Sequence, residues 1–240
     1  METGGAQACI AALSSSEPKS VLRAVAAPNR LARDLMRMVD EALAEMGWSP
    51  GDLELIAAAI GPGSWTGLRI GLSAAKTLAQ TLECPLVGVP TFDALARAAW
   101  SQTVDSPVEL DRHLLLTAMT CRAGELYAQL YECSGDYLVR VQPAWIATPR
   151  QLADTVFVES LSRGIEGVPI LAGPGSVDVG SLLAEQGESP LFVEIDSQAM
   201  CLELAQAGMA VLEAGSDSDP LALQPLYLAP SAAERNLSRK

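Results

Sequence analysis

Apolar positions along this chain follow two rhythms. Short runs of strand length alternate with longer stretches in which apolar residues recur every three or four positions. Residues 6–13 (AQACIAAL) read as a strand, 14–19 as a turn cluster and 20–26 as the returning strand. Asn29 is placed to cap a helix on which Leu31, Leu35, Met38, Ala42 and Met46 share one face, with Gly47 at its end. A buried strand over 53–60 breaks at Gly61-Pro62-Gly63 and leads into a helix over about 66–82. Residues 85–89 form another strand, and a helix runs from Thr91 to Trp100. Residues 103–111 (TVDSPVELD) are polar, acidic and Pro-bearing, and mark a boundary. Strands over 112–119, 125–132 and 137–145 follow, then a helix over 149–161, a strand over 168–172, a helix over 179–186, a strand over 191–195 and a helix over 197–214. The tail after Pro230 is expected to be loose. Strands first, then helix and strand in alternation, predict two α/β lobes with mixed sheets. The expected lobes are 1–108 and 109–240, with the helix over 197–214 free to pack back on the first.

Composition narrows the class. With 240 residues, 49% apolar and 19% charged, the chain has the makings of a packed core and not of a disordered segment. The net charge of −13, shared by both halves, gives no positive field for a phosphate backbone or an anionic membrane. One histidine, His113, excludes any metal clamp built from two histidines of this chain. The five cysteines (9, 84, 121, 133 and 201) include no CxxC pair and read as buried thiols of a reducing compartment. No apolar run approaches the ~18 residues of a membrane span, and no basic region followed by an apolar one opens the chain. A cytoplasmic protein is the expectation.

Three stretches could carry chemistry. Gly61 to Gly71 (GPGSWTGLRIG) joins a strand to a helix, where unpaired N–H groups can receive an anion and Ser64 or Thr66 can cap; a purely structural capped turn explains it as well. No Lys-Ser/Thr follows the glycines, so it is not a Walker A loop. Glu2-Thr3-Gly4-Gly5 resembles a phosphate-facing turn, or is simply a chain start. Arg122 beside Gly124 lies in a hairpin turn, either as an anion ligand or as a solvated turn residue. His113 opens an apolar strand and reads as structural, so no serine or cysteine has an evident base.

The stretch from Gly61 to Gly71, with Ala74-Ala75-Lys76 and Val89-Pro90-Thr91-Phe92-Asp93-Ala94-Leu95, resembles the TsaB (YeaZ) family, which takes part in making threonylcarbamoyladenosine in tRNA. Trp65 stands where the family usually has Phe, and Thr120-Cys121-Arg122 where it usually has Asp-Ala-Arg. Arg122 to Ala128 and Pro225-Leu226-Tyr227-Leu228 extend the likeness over nearly the whole chain. The resemblance implies an α/β, two-lobed actin-like fold of the ribonuclease-H-like ATPase (ASKHA) superfamily, with mixed sheets flanked by helices. It implies a non-catalytic subunit that supports TsaD in threonylcarbamoylating the adenosine 3′ of the anticodon in tRNAs reading A-starting codons. TsaE joins that assembly, homodimers form, tRNA is met only through TsaD, and no membrane is involved. No cofactor or metal of its own is implied, with a nucleotide admissible at a partner interface. A small-molecule kinase or ATPase on the same superfold is the alternative, and a peptidase is a third reading.

Two further expectations rest on that resemblance. On the helix over 66–82, Leu68, Leu72, Ala75, Ala79 and Leu82 form one apolar stripe, and Gly67, Gly71, Ala74 and Leu78 a second of mostly small residues. Both stripes could be internal, the small one against the helix over 31–46; the family's association through its first two helices instead offers the second stripe, with Ser64, Trp65 and Thr66, to TsaD. Gly71→Leu or Ala74→Arg is then expected to abolish binding and leave the monomer folded. Family members also begin with an apolar strand ending in Asp-Thr or Glu-Thr, whereas here Glu2-Thr3 follows Met1 directly. The expectation is that a few apolar residues of a central strand lie upstream of Met1.

Overall fold

A computed structural model of the 240-residue chain describes all residues except 6, 17–18, 26–29, 105–111, 216–218 and 230–240. Asn29, most of the boundary at 103–111 and the tail after Pro230 lie outside the described residues. Two compact units are present. One comprises Met1–Ala94 together with the described residues from Asp196 on, and the other is Leu95–Ile195. The division falls within a helix and not at the polar stretch, and the region from Asp196 on belongs with the first unit.

The first unit is built on β1 (Ala8–Leu13), β2 (Ser20–Val25), β3 (Ile56–Gly61) and β4 (Leu86–Pro90). β1 and β2 pair antiparallel; β3 and β4 pair parallel. Residues 1–4 run between the two pairs. Glu2 and Cys9 exchange both backbone hydrogen bonds at 2.8 Å. The Met1 ammonium donates to Ala57 O at 2.7 Å, and Ala59 N–H donates to Met1 O at 2.9 Å. The central strand position expected from the sequence is thus held, over this short length, by residues 1–4.

Helices α1 (Leu31–Met46) and α2 (Trp65–Leu82) belong to this unit. α1 buries Leu31, Leu35, Met38, Val39, Ala42, Leu43 and Met46, a helical stripe laid on Ala8, Ile10, Ala12 and Val21. Gly47, in the left-handed region at φ 77°, ends it by donating to Ala44 O and Leu43 O. α2 buries Leu68, Leu72, Ala75 and Ala79, the last three against Ile56, Ala58 and Leu86 of the strands. A later helix, α6 (Ser197–Glu213), packs on β1, β3 and β4. Its Gly208 faces Ala57, where an added Cβ would come 2.5 Å from the Ala57 Cβ, so glycine allows the close approach.

α3 (Thr91–Val104) spans the division between the units. The second unit contains β5 (His113–Arg122), β6 (Glu125–Ser134), β7 (Tyr137–Arg140), β8 (Trp145–Ala147), β9 (Ile170–Ala172) and β10 (Leu191–Val193). The sheet order is β10-β9-β5-β6-β7, with β8 also on β6; the β10–β9 and β9–β5 pairings are parallel, and β6 pairs antiparallel with β5, β7 and β8. The single strand expected over 137–145 is two short ones, β7 and β8. Leu114, Leu116, Ala118, Ala128 and Leu130 on one sheet face pack against α4 (Pro149–Arg163) and α5 (Ser176–Glu185). α4 starts with a capping box in which the Thr148 hydroxyl and the Gln151 amide satisfy each other's backbone donors. No helix among the described residues is long and apolar enough to cross a membrane.

Candidate functional site at the start of the second helix

The junction between β3 and α2 is where the chain is most tightly fitted to itself. Ser64 caps α2, its hydroxyl accepting from Gly67 N–H at 3.3 Å, while its own N–H donates to Gly4 O at 2.7 Å. A Cβ added at Gly63 would meet Gly4 O at 2.8 Å. One at Gly67 would meet Thr3 O at 2.0 Å, and one at Gly71 would meet Thr3 Oγ1 at 2.0 Å. Gly67 and Gly71 are buried, and both turn toward the chain's own Thr3. Ala74 and Leu78, the rest of that stripe, are half-buried and pack against the cluster under α1. The stripe that the sequence offered to a partner therefore begins in the interior. Ser64 and Thr66 are exposed and Trp65 is half-buried.

Above this interior lies an aromatic platform. Trp65 stacks on Tyr227, with ring centroids 3.7 Å apart and planes 22° apart. The Arg69 guanidinium sits 4.4 Å from the Trp65 ring centroid, and its Nε donates to the Tyr227 hydroxyl at 3.0 Å. Leu226 N–H donates to Ile60 O at 2.6 Å, and Lys76 Nζ to Leu221 O at 3.3 Å, which lays the segment 219–229 along β3 and α2. Arg69 and Tyr227 were not among the residues singled out for a site from the sequence. They stand 158 positions apart, and no local pattern joins them.

The Glu2-Thr3-Gly4-Gly5 turn does not present free donors. Glu2 is fully buried, and its carboxyl accepts from Gly4 N–H at 2.5 Å, from Gly5 N–H at 3.1 Å and from the Thr91 hydroxyl at 3.4 Å. Burial raises its pKa above the ordinary carboxylate value, against the opposing pull of those bonds and of the Met1 ammonium. The N–H groups that an anion would need are thus engaged by the chain itself.

The remaining candidates are structural. Arg122 pairs with Glu125 across the turn at Gly124, whose φ is 76°. His113 is buried, with Nδ1 3.0 Å from Val168 O and its ring 6.1 Å from Trp100. All five cysteines are free thiols, four of them buried. Burial pushes the Cys133 thiol up to about 12 and the Cys84 thiol up as well, away from the thiolate a nucleophile requires. Among the described residues, no three His, Cys, Asp or Glu side chains come together as a metal site would.

The fold defined by these elements is found in solved structures: YeaZ from Pseudomonas aeruginosa matches with a TM-score of 0.72 and 20% identity, over 95% of this chain and 97% of that one. The family model described as "TsaD: tRNA N6-adenosine threonylcarbamoyltransferase" matches residues 9–153. The chain belongs to that family. The tRNA threonylcarbamoyladenosine biosynthesis protein TsaB of Escherichia coli K12 is 34% identical over 105 residues, 44% of this chain and 42% of that protein. TsaB of Bacillus subtilis 168 is 35% identical over 108 residues, 45% of this chain and 43% of that protein. The matched stretch spans less than half the length of these curated relatives.

Proposed function

We propose that this chain is a non-catalytic subunit in the threonylcarbamoylation of tRNA, binding and supporting a TsaD-type catalytic subunit. The observation that carries the reading is the partly exposed Trp65–Tyr227–Arg69 platform at the start of α2, in a chain whose curated relatives are named TsaB. Aromatic and arginine side chains held rigid at a surface are the groups that dominate protein interfaces. Ser64, Trp65 and Thr66 form the outer part of the interface in this reading. Ala74 and Leu78 extend it along the seam with α1, and Gly67 and Gly71 serve it from below by seating α2 on Thr3. A lone, buried histidine and a net charge of −13 agree with a chain that leaves metal chemistry and tRNA contact to its partner. TsaE association, self-association and a cytoplasmic location belong to the same reading. The kinase alternative draws no support from the chain's opening turn, whose backbone donors are engaged by Glu2.

The test is reconstitution. TsaD-type and TsaE-type subunits, the threonylcarbamoyl donor and tRNA are combined with and without this chain. Modified adenosine should form only in its presence, and Trp65→Ala should cut co-purification with the TsaD-type subunit about tenfold without changing the unfolding midpoint. Full modification without the chain, or undiminished capture by Trp65→Ala, overturns the assignment or the interface respectively.

A further inference from the structure

Two of the five thiols meet inside the first unit. On β1, Ala8, Ile10 and Ala12 turn to the cluster under α1, so by strand alternation Cys9 turns to the opposite face. α6 covers that face, packing on β1, β3 and β4. The buried stripe of α6 is Met200, Cys201, Leu204, Ala207 and Gly208, and Gly208 rests on Ala57 of β3. This stripe brings Cys201 to Cys9. Both residues are fully buried, and each thiol is acted on more strongly by the other than by any charged group. Their contact lowers the pKa of Cys201 and raises that of Cys9, so the first thiolate of the pair resides on Cys201. Cys133, by contrast, turns to the His113 carbonyl, 3.5 Å away in the second unit.

We propose that Cys9 and Cys201 form an oxidation site, at which hydrogen peroxide converts the two thiols into a disulfide that ties α6 to β1. The Cys201 thiolate attacks one peroxide oxygen, the O–O bond breaks, and the departing hydroxide takes up the proton that Cys201 gave and leaves as water. The Cys9 sulfur then attacks the sulfur of the Cys201 sulfenic acid. The S–S bond forms, and the hydroxyl leaves with the Cys9 proton as a second water. Two electrons pass from the thiols to the peroxide. With no solvent at either sulfur, the oxidant enters only when α6 lifts from the strands, and the disulfide then holds the helix down. The first unit is assembled from Met1–Ala94 and the described residues from Asp196 on, pieces that the chain joins only through the second unit. The disulfide adds a direct second link. The loop it closes contains the whole second unit, so its constraint on the unfolded chain is large.

The experiment treats the full chain with hydrogen peroxide, quenches the oxidant, alkylates the remaining thiols in denaturant and maps the peptides. The peptides of Cys9 and Cys201 should be joined to each other, with no other cysteine in a link. The joined form should melt about 5 °C or more above the reduced chain and return to the reduced Tm with dithiothreitol. Its α6 amides should exchange about tenfold more slowly. Cys121→Ala should behave as wild type, and Cys201→Ala should show no oxidant-dependent rise in Tm. Cys201→Ala removes a buried side chain, so the wild-type peptide map decides the pairing if that variant folds poorly. Links that involve any other cysteine, sulfinic acid on Cys9 or Cys201 without a link, or five alkylated thiols after treatment would overturn the proposal. So would a Cys9–Cys201 link that leaves Tm unchanged.

Discussion

The tetrapeptide Gly-Pro-Gly-Ser occurs twice, each time between a strand and a helix: Gly61–Ser64 before α2 in the first unit and Gly173–Ser176 before α5 in the second. In both, the first glycine takes a positive φ, 108° and 93°. In both, a backbone carbonyl of a neighbouring segment accepts from the tetrapeptide. The donors differ by one position. Ser64 N–H reaches Gly4 O at 2.7 Å, whereas Gly175 N–H reaches Ala118 O at 3.0 Å. That one-residue offset moves the helix start with it. Ser64 becomes the exposed cap of α2, while Ser176 falls inside the first turn of α5, buried, with its hydroxyl donating to Gly173 O at 2.7 Å. Identical local sequence therefore gives an outward serine in one unit and an inward one in the other, and the adjacent segment decides which.

The sharpest way to break this comparison is to crowd the helices that follow. Gly71→Leu should destabilise the chain by ~3 kcal/mol or more in urea unfolding, because its Cβ would lie 2.0 Å from Thr3 Oγ1. That outcome reverses the expectation of a folded but partner-blind variant. If Gly71→Leu keeps the wild-type midpoint, Thr3 does not hold α2 as described. The third glycine positions give a smaller contrast. Gly63→Ala, whose Cβ meets the Gly4 backbone oxygen at 2.8 Å, should cost about 2 kcal/mol. Gly175→Ala, whose nearest neighbour is the Leu126 methyl at 2.9 Å, should cost about 1 kcal/mol. The serines come next: Ser176→Ala should lose about 1 kcal/mol with its buried bond. Ser64→Ala should lose about 0.5 kcal/mol of stability with its long cap bond.

The smallest effect concerns Glu2, beside the first junction, and has no counterpart at the second. Its pKa is raised in the folded state, so above the ordinary carboxylate range the folded chain holds a proton that the unfolded chain has lost. The stability this group contributes is present at lower pH and is lost as pH rises through that window. Glu2→Gln cannot titrate. Its stability curve above the ordinary carboxylate range should be flatter than wild type, and its midpoint toward neutral pH equal or higher. A steeper curve would show that the carboxylate, and not the acid, is the form held by Gly4 and Gly5.

Much of this architecture was legible in the residues. The stripe of α1, the strand over β3 and the breaks at both Gly-Pro-Gly sequences follow from periodicity and turn chemistry, which act over a few positions. What the second stripe of α2 meets was not legible, for a physical reason. Small residues signal close approach, but not whether a neighbouring helix or the chain's own Thr3 makes it. The Arg69–Tyr227 bond and the engagement of the Gly4 and Gly5 donors by Glu2 are tertiary and leave no local signature. The identical tetrapeptides show the same limit from the other side, since their difference lies in the partner segment.

The return of α6 to the first unit has a consequence for the order of synthesis. Residues 95–195 leave the ribosome after the strands of the first unit and before α6. Until α6 emerges, the faces of β1 and β3 that it covers, with Cys9 and Ala57, have no helix over them. The second unit is continuous in sequence and can complete its core first. The first unit closes only through contacts between segments about a hundred residues or more apart, the kind that makes folding slow. A nascent chain arrested before residue 196 should therefore protect β5 and β6 from exchange while β1 and β3 still exchange freely.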